Sequence, residues 1–321
     1  KTRVLTYKIA YLLQQGMKPW SIMALTFTNK AAKEMRERIN RLVGGDLAAH
    51  LYMGTFHSIF SRILRAEADH IGFNNNFTIY DESDSRSLLK AIIKEKGFDD
   101  KTYKPAAVHA KISMAKNNLV TPEIYRADKD YYDRDKHANM PGVGEIYEVY
   151  VQRCKQANAM DFDDLLMLTF QLFRDHEEIR QKYSDRFDFI LVDEYQDTNH
   201  VQMKIVMQLC KEKNRVCAVG DDSQSIYSFR GANIDNILRF QSQLKGAKLF
   251  KLEQNYRSTQ NIVNAANSLI KRNKNQIQKD VFSENAVGEK LIYQPAYSDK
   301  EEALIVSKDI KRIKRQNGCE Y

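Results

Sequence analysis

The chain has 321 residues, and its 50 Lys+Arg against 42 Asp+Glu leave a net charge of +8. That length exceeds one ordinary core, so two or three domains are expected, and the cationic surplus suits a polyanionic partner such as nucleic acid. No apolar run approaches the roughly 18 residues of a bilayer span, which argues against a membrane protein, and Cys154, Cys210, Cys217 and Cys319 lack the spacing of a zinc or disulfide framework, so a reducing cytoplasm is expected.

In chain order, a helical pattern at Arg3–Leu13 leads into an apolar run at Ile22–Phe27. Helix Asn29–Leu42 follows, with Thr28 as N-cap and Ala32, Met35, Ile39 and Leu42 on one face. Further apolar runs occur at Tyr52–Thr55, Phe187–Val192, Val216–Val219 and Lys248–Leu252. Continuous apolar runs ending in polar residues are what a parallel sheet covered by helices requires, so the fold class is α/β. Between Asp81 and Tyr183 no convincing strand is found, and positions such as Leu88, Leu89, Ile92 and Ile93 repeat at helical spacing. This stretch reads as a helical subdomain inserted into the α/β domain. After Arg257 a further unit begins, with a helix around Asn261–Arg272, a strand at Lys290–Gln294 and a helix near Asp299–Arg315.

Four segments carry candidate chemistry. FDFILVDEYQD (Phe187–Asp197) ends a buried strand in two adjacent carboxylates, Asp193 and Glu194, which suits a magnesium–nucleotide site. It would equally serve as a strand followed by an acidic helix start. Lys1-Thr2 before a helix fits the end of a phosphate-binding loop, or an arbitrary terminus. VCAVGDDSQSIYSFRGA (Val216–Ala232) brings Gln224 to a strand's end, where it could sense phosphate and water. Its Tyr227, Phe229 and Arg230 could stack bases or simply pack a loop. LEQNYRST (Leu252–Thr259) joins Tyr256 to Arg257, an adenine-stacking ring beside a phosphate-pairing guanidinium. LTFTNKAAKEM (Leu25–Met35) and GTFHS (Gly54–Ser58) offer hydroxyls and helix-start amides to DNA phosphates, or plain helix caps.

Taken in order, TFTNKAAKEM, GTFHS, DFDDLL (Asp161–Leu166), LVDEYQDTN, VGDDSQSIYSFRGA and LEQNYRST resemble successive motifs of the superfamily 1 helicases UvrD, Rep and PcrA, over essentially the whole chain. The resemblance implies a RecA-like P-loop NTPase sheet with an inserted all-helical subdomain. Residues 1–80 and 184–256 would form the first ATPase domain (1A), 81–183 the insert (1B), and 257–321 the incomplete start of a second RecA-like domain (2A). It implies ATP and Mg²⁺ as cofactors: Lys1 and Thr2 end the Walker A loop, Thr2 and Asp193 serve the metal, and Glu194 is the general base. Gln224 and Arg257 contact the γ-phosphate and Tyr256 stacks on adenine. Phe27, Thr28, Asn29, Thr55, His57, Tyr227, Phe229 and Arg230 would follow DNA.

The partners implied are single-stranded DNA and duplexes with a 3′ single-stranded tail, engaged by a monomer or weak dimer that moves 3′→5′. The Walker A glycines would lie upstream of Lys1, so a protein of Lys1–Tyr321 alone is expected to bind ATP poorly and unwind nothing. Phe229 departs from the family's tryptophan, a milder stacking surface. Two alternatives are the helicase part of a recombination helicase–nuclease and a nucleic-acid-binding module whose nucleotide site has decayed.

Overall fold

In the computed structural model, which describes residues 1–44, 47–210 and 215–318, the chain divides into two compact units, Lys1–Phe250 and Lys251–Tyr321. The side chain of Arg230 and the whole of Cys319 lie outside the described residues.

The first unit is built on a parallel sheet of order β2-β1-β5-β6, with β1 at Ile22–Thr26, β2 at Tyr52–Thr55, β5 at Phe189–Val192 and β6 at Val216–Ala218. Successive side chains of a strand point to opposite faces, and here both faces are apolar. Ile22, Ala24, Met53 and Leu191 meet Leu5, Ile9, Leu12, Met35 and Ile39 from helices Thr2–Gln14 and Asn29–Val43. Met23, Leu25, Ile190 and Val192 meet Phe56, Phe60 and Ile63 on the other face, together with Leu165, Phe173, Tyr183 and Ile205. Thr28 and Thr55 cap their helices, their hydroxyls accepting from Ala31 N at 3.1 Å and Ser58 N at 3.2 Å. The predicted helix face at Ala32, Met35 and Ile39 is buried, whereas Leu42 is exposed and the next residue, Val43, packs against the core instead.

A second core, from Leu89 to Cys154, is made by helices Glu82–Glu95, Pro105–Asn117, Pro122–Ala127 and Val143–Gln156. The expectation of no strand in this stretch is corrected by a two-stranded parallel ribbon, β3 (Thr78–Tyr80) with β4 (Ala159–Asp161), which closes its base. At three residues, β4 is too short to show a period in sequence. Two further predicted strands, Lys248–Leu252 and Lys290–Gln294, are coil in the structure. A strand persists only where a neighbour takes up its backbone groups. Here Phe250, Ile292 and Tyr293 are strongly exposed, and the second unit's one ladder contact among the described residues is the bridge Gln254–Phe282. The helices of that unit are Gln260–Ile270 and Asp299–Asn317.

The base of the helical insert is fastened by a buried charge cluster. Lys116 Nζ lies 2.7 Å from both Asp161 and Asp164, and Tyr150 donates to Asp161 at 2.9 Å. One ammonium cannot neutralise two carboxylates. Burial tends to raise the Asp161 carboxyl, but Lys116 and its hydrogen bonds hold it below the ordinary range. Burial and the charge of Asp161 push Asp164 up to about 7 despite Lys116. The folded state therefore holds the Asp164 proton more tightly than the unfolded chain does. The stability it contributes is full below the ordinary carboxylate range and is lost as pH rises toward about 7. Asp164→Asn should remove this dependence: between about pH 5 and about pH 8 the variant should gain on the order of 1 kcal/mol over the parent. Parallel chemical denaturation at the two pH values checks this, and equal slopes for both proteins would refute it.

Candidate nucleotide site at the ends of the sheet

Strand β5 is paired on both sides, by β1 and by β6, and runs out into Asp193 and Glu194. The turn there is tight: Glu194 adopts φ 45° and ψ 46°, a left-handed conformation that a non-glycine residue takes only where its surroundings over-determine it. Backbone bonds fix it, with Asp193 N donating to Leu25 O at 3.0 Å and Tyr195 N to Val219 O at 2.9 Å.

Helix Thr2–Gln14 begins opposite these carboxylates. Lys1 Nζ donates to Glu194 Oε2 at 2.8 Å and to Gln224 Oε1 at 3.3 Å. Thr2 Oγ1 donates to Asp193 Oδ2 at 3.3 Å. Thus five residues expected at the nucleotide site, Lys1, Thr2, Asp193, Glu194 and Gln224, are brought together from three remote segments. Burial and the neighbouring Glu194 charge push the Asp193 carboxyl up, while the Glu194 amide, Thr2 and Lys1 oppose that rise. Hard oxygen donors beside an ammonium are the donor set a magnesium–phosphate complex requires, so these residues fit such a group.

Sequence reading missed the residue that ties the site together. Gln196 is buried, and its Nε2 donates to Glu194 Oε2 at 3.1 Å and to Asp197 Oδ2 at 3.0 Å. Its Oε1 accepts from Asp221 N at 2.9 Å. Asp221 in turn accepts from Gln224 Nε2 at 2.6 Å. Gly220 lies close beside it, and a Cβ there would stand 2.7 Å from Gln196 Oε1 and from Ile237 Cδ1, so a larger residue would displace those side-chain ends. Gln196 lies within the quoted LVDEYQDTN, but nothing in the order of residues says that its amide turns toward another strand's loop.

The nucleic-acid candidates are distributed over the same unit. Phe27 is partly exposed and packs on Phe56 with centroids 5.8 Å apart. Asn29 is exposed at the start of its helix, next to the capping Thr28. His57 meets Phe162 edge-on at 5.7 Å, and burial pushes its imidazole down, so it offers hydrogen bonds rather than charge near neutrality. Tyr227 and Phe229 lie 5.9 Å apart, and Phe229 is 71% exposed, which a residue serving only to pack a loop would not be. Arg230 closes the 3-10 turn Ser228–Arg230. In the second unit Tyr256 and Arg257 are both exposed, with Tyr256 Oη donating to Gln254 Oε1 at 2.6 Å.

A parallel sheet covered on both faces, with a lysine, a hydroxyl and paired carboxylates gathered at its strand ends, defines a P-loop NTPase of RecA-like fold. The family model of the UvrD/REP helicase N-terminal domain matches residues 1–245, and that of the UvrD-like helicase C-terminal domain matches residues 250–321. The chain belongs to the UvrD/REP helicase family. It is 44% identical to the ATP-dependent DNA helicase PcrA of Staphylococcus aureus (strain Mu50) and 45% identical to that of Staphylococcus epidermidis (strain RP62A). Each alignment covers 100% of this chain but 43% of the relative, so the chain spans less than half the length of the curated relatives it matches.

Gln196→Leu removes both donors to the carboxylates and the acceptor for Asp221 N. If Gln196 positions Glu194, turnover of ATP by the full-length protein should fall about 10²-fold, the scale of a small misplacement of a catalytic group. Its KM should change little. A rise in KM at unchanged kcat would contradict that role.

Proposed function

We propose that the protein is an ATP-dependent DNA helicase or translocase that moves 3′→5′ on single-stranded DNA. The observation that carries this reading is the convergence of Lys1, Thr2, Asp193, Glu194 and Gln224 at the strand ends. Nucleotide phosphates give the Lys1 ammonium a stronger anionic partner than Glu194. Release of Lys1 leaves Glu194 Oε2 open to accept a proton from water as that water attacks the γ-phosphorus and the bond to the β,γ-bridging oxygen breaks, releasing ADP and phosphate. Asp193 and Thr2 would hold Mg²⁺, which supplies charge neutralisation to the phosphates when bound. Gln224, linked to Lys1 and to Asp221, reports the presence of the γ-phosphate to the loop that carries Tyr227 and Phe229. Arg257 and Tyr256 keep the γ-phosphate and adenine roles that the family resemblance gives them.

On this reading single-stranded DNA is held by phosphate contacts from Thr28, Asn29, Thr55 and His57 and by stacking on Phe27, Tyr227 and Phe229, with Arg230 beside them. Duplexes with a 3′ single-stranded tail are the natural substrate. The domain division proposed is residues 1–80 with 184–256 around an insert at 81–183, followed by a second lobe from 257. The insert's own core runs from Leu89 to Cys154. Helices Phe162–Asp175 and Glu177–Arg186 contribute instead to the core beneath the sheet.

Two measurements test the proposal. In the full-length protein, Glu194→Gln should cut DNA-stimulated ATP turnover by about 10²-fold or more while leaving nucleotide affinity nearly intact. Turnover within a few-fold of the parent would reject Glu194 as the base. Phe229→Ala should weaken single-strand binding by roughly 1–3 kcal/mol whatever the base sequence, with affinity falling steeply as salt rises. An unchanged dissociation constant would remove Phe229 from the DNA track.

A further inference from the structure

Away from the strand ends, two histidines and a carboxylate converge where the sheet-facing helices meet. His70 stands near the end of the 3-10 turn Ala68–Ile71, while His176 and Glu178 stand at the joint between helices Phe162–Asp175 and Glu177–Arg186. One ligand atom from each of the three lies within 4.8 Å of the others. The imidazole centroids are 5.2 Å apart at 67°, and His176 Nδ1 is 3.5 Å from Glu178 Oε1. We propose that His70, His176 and Glu178 form a binding site for a divalent transition-metal ion of the zinc type.

The donor set selects the ion. Two imidazoles and one carboxylate suit Zn²⁺ in four-coordinate geometry, with water as the fourth ligand. Mg²⁺ and Ca²⁺ prefer all-oxygen shells, so this site differs in chemistry from the pair Asp193 and Glu194. The two histidines also line a cavity of 520 Å³ with Asp175 and Lys155, which leaves room for a coordinated water. No cysteine takes part in the cluster.

The backbone beneath the three ligands is already fixed. Buried Glu67, next to the turn, accepts from Tyr183 Oη at 2.9 Å and Lys182 Nζ at 2.7 Å, joining the turn to helix Glu177–Arg186. Ala68, Phe73, Leu172 and Ile179 share one core around the joint. Ligand–metal distances of about 2.0–2.2 Å require the donors to draw somewhat closer than they stand. Side-chain rotation of the exposed His70 and Glu178 can accomplish this without moving the backbone. A bound ion would then cross-link two segments that are distant in sequence.

The test is a Zn²⁺ titration by calorimetry of the full-length protein, with excess Mg²⁺ present, against the double variant His70→Gln with His176→Gln. The parent should bind one Zn²⁺ more than the double variant, and each single substitution should weaken that site at least ~10-fold. Zn²⁺ should raise the parent's melting temperature and leave that of the double variant unmoved. Co²⁺ in the parent should give ligand-field absorption without a thiolate charge-transfer band. Equal stoichiometry and affinity in the two proteins would overturn the proposal, as would a thiolate band that survives the histidine substitutions. The metal-free melting temperature of the double variant verifies its folding, and Glu178→Gln, which leaves both imidazoles in place, supplies an independent loss of affinity.

Discussion

The geometry of the first unit depends on β5 being buried on both faces and paired along both edges. Ile190 and Val192 look into one helical layer and Leu191 into the other, while β1 and β6 take up the strand's backbone groups. A strand held this way cannot shift by one residue without exchanging its two apolar faces. The residues that follow it, Asp193 and Glu194, are thereby fixed in space before any ligand is considered. The same constraint explains why Glu194 can persist in a left-handed conformation. Its neighbours are tied to β1 and to the end of β6, and the backbone between them has no alternative.

From that fixed point the polar groups are arranged in pairs that trade charge. Lys1 sits on Glu194, Thr2 on Asp193, and Gln196 on Glu194, Asp197 and the backbone of Asp221. In a partly buried setting each of these contacts is stronger than its counterpart in water, and each leaves a costly orphan if one partner is withdrawn. A change in the occupant of Lys1 is therefore felt by Glu194 directly and by the Asp221–Gln224 loop through Gln196. This gives the loop that carries Tyr227 and Phe229 a physical connection to the carboxylates.

A second set of contacts fastens the helical insert to the segment after β5. Asn117, next to the buried Lys116, donates to Asp163 at 2.9 Å and accepts from Asn199 Nδ2 at 2.5 Å. Asn236 Nδ2 then bonds the backbone of Thr198 and Asn199 at 3.0 and 3.1 Å. Amides suit this junction because each can donate and accept at once, so a chain of them passes through a buried region without an unmatched group. The insert is thus joined to the Thr198–Asn199 segment by side chains as well as by the connecting backbone.

Much of this was legible in the sequence. The runs at Ile22–Phe27, Tyr52–Thr55, Phe187–Val192 and Val216–Val219 lie where four parallel strands form, because a doubly covered strand must be apolar throughout. The acidic pair after β5 and the order of motifs were equally plain, since local composition carries them. Lys248–Leu252 and Lys290–Gln294 have strand composition without strand structure, because pairing depends on a neighbour that composition does not name. The three-residue ribbon of β3 and β4 arises for the converse reason: it is made by register between residues 81 positions apart, Thr78 with Ala159 and Tyr80 with Asp161. Gln196 bridging to Asp221, Lys116 between two aspartates, and His70 beside His176 belong to the same class. Sequence determined which residues could be buried, could cap and could carry charge. Tertiary structure decided which of them meet, because a hydrogen bond or an ion pair forms through space and is indifferent to distance along the chain.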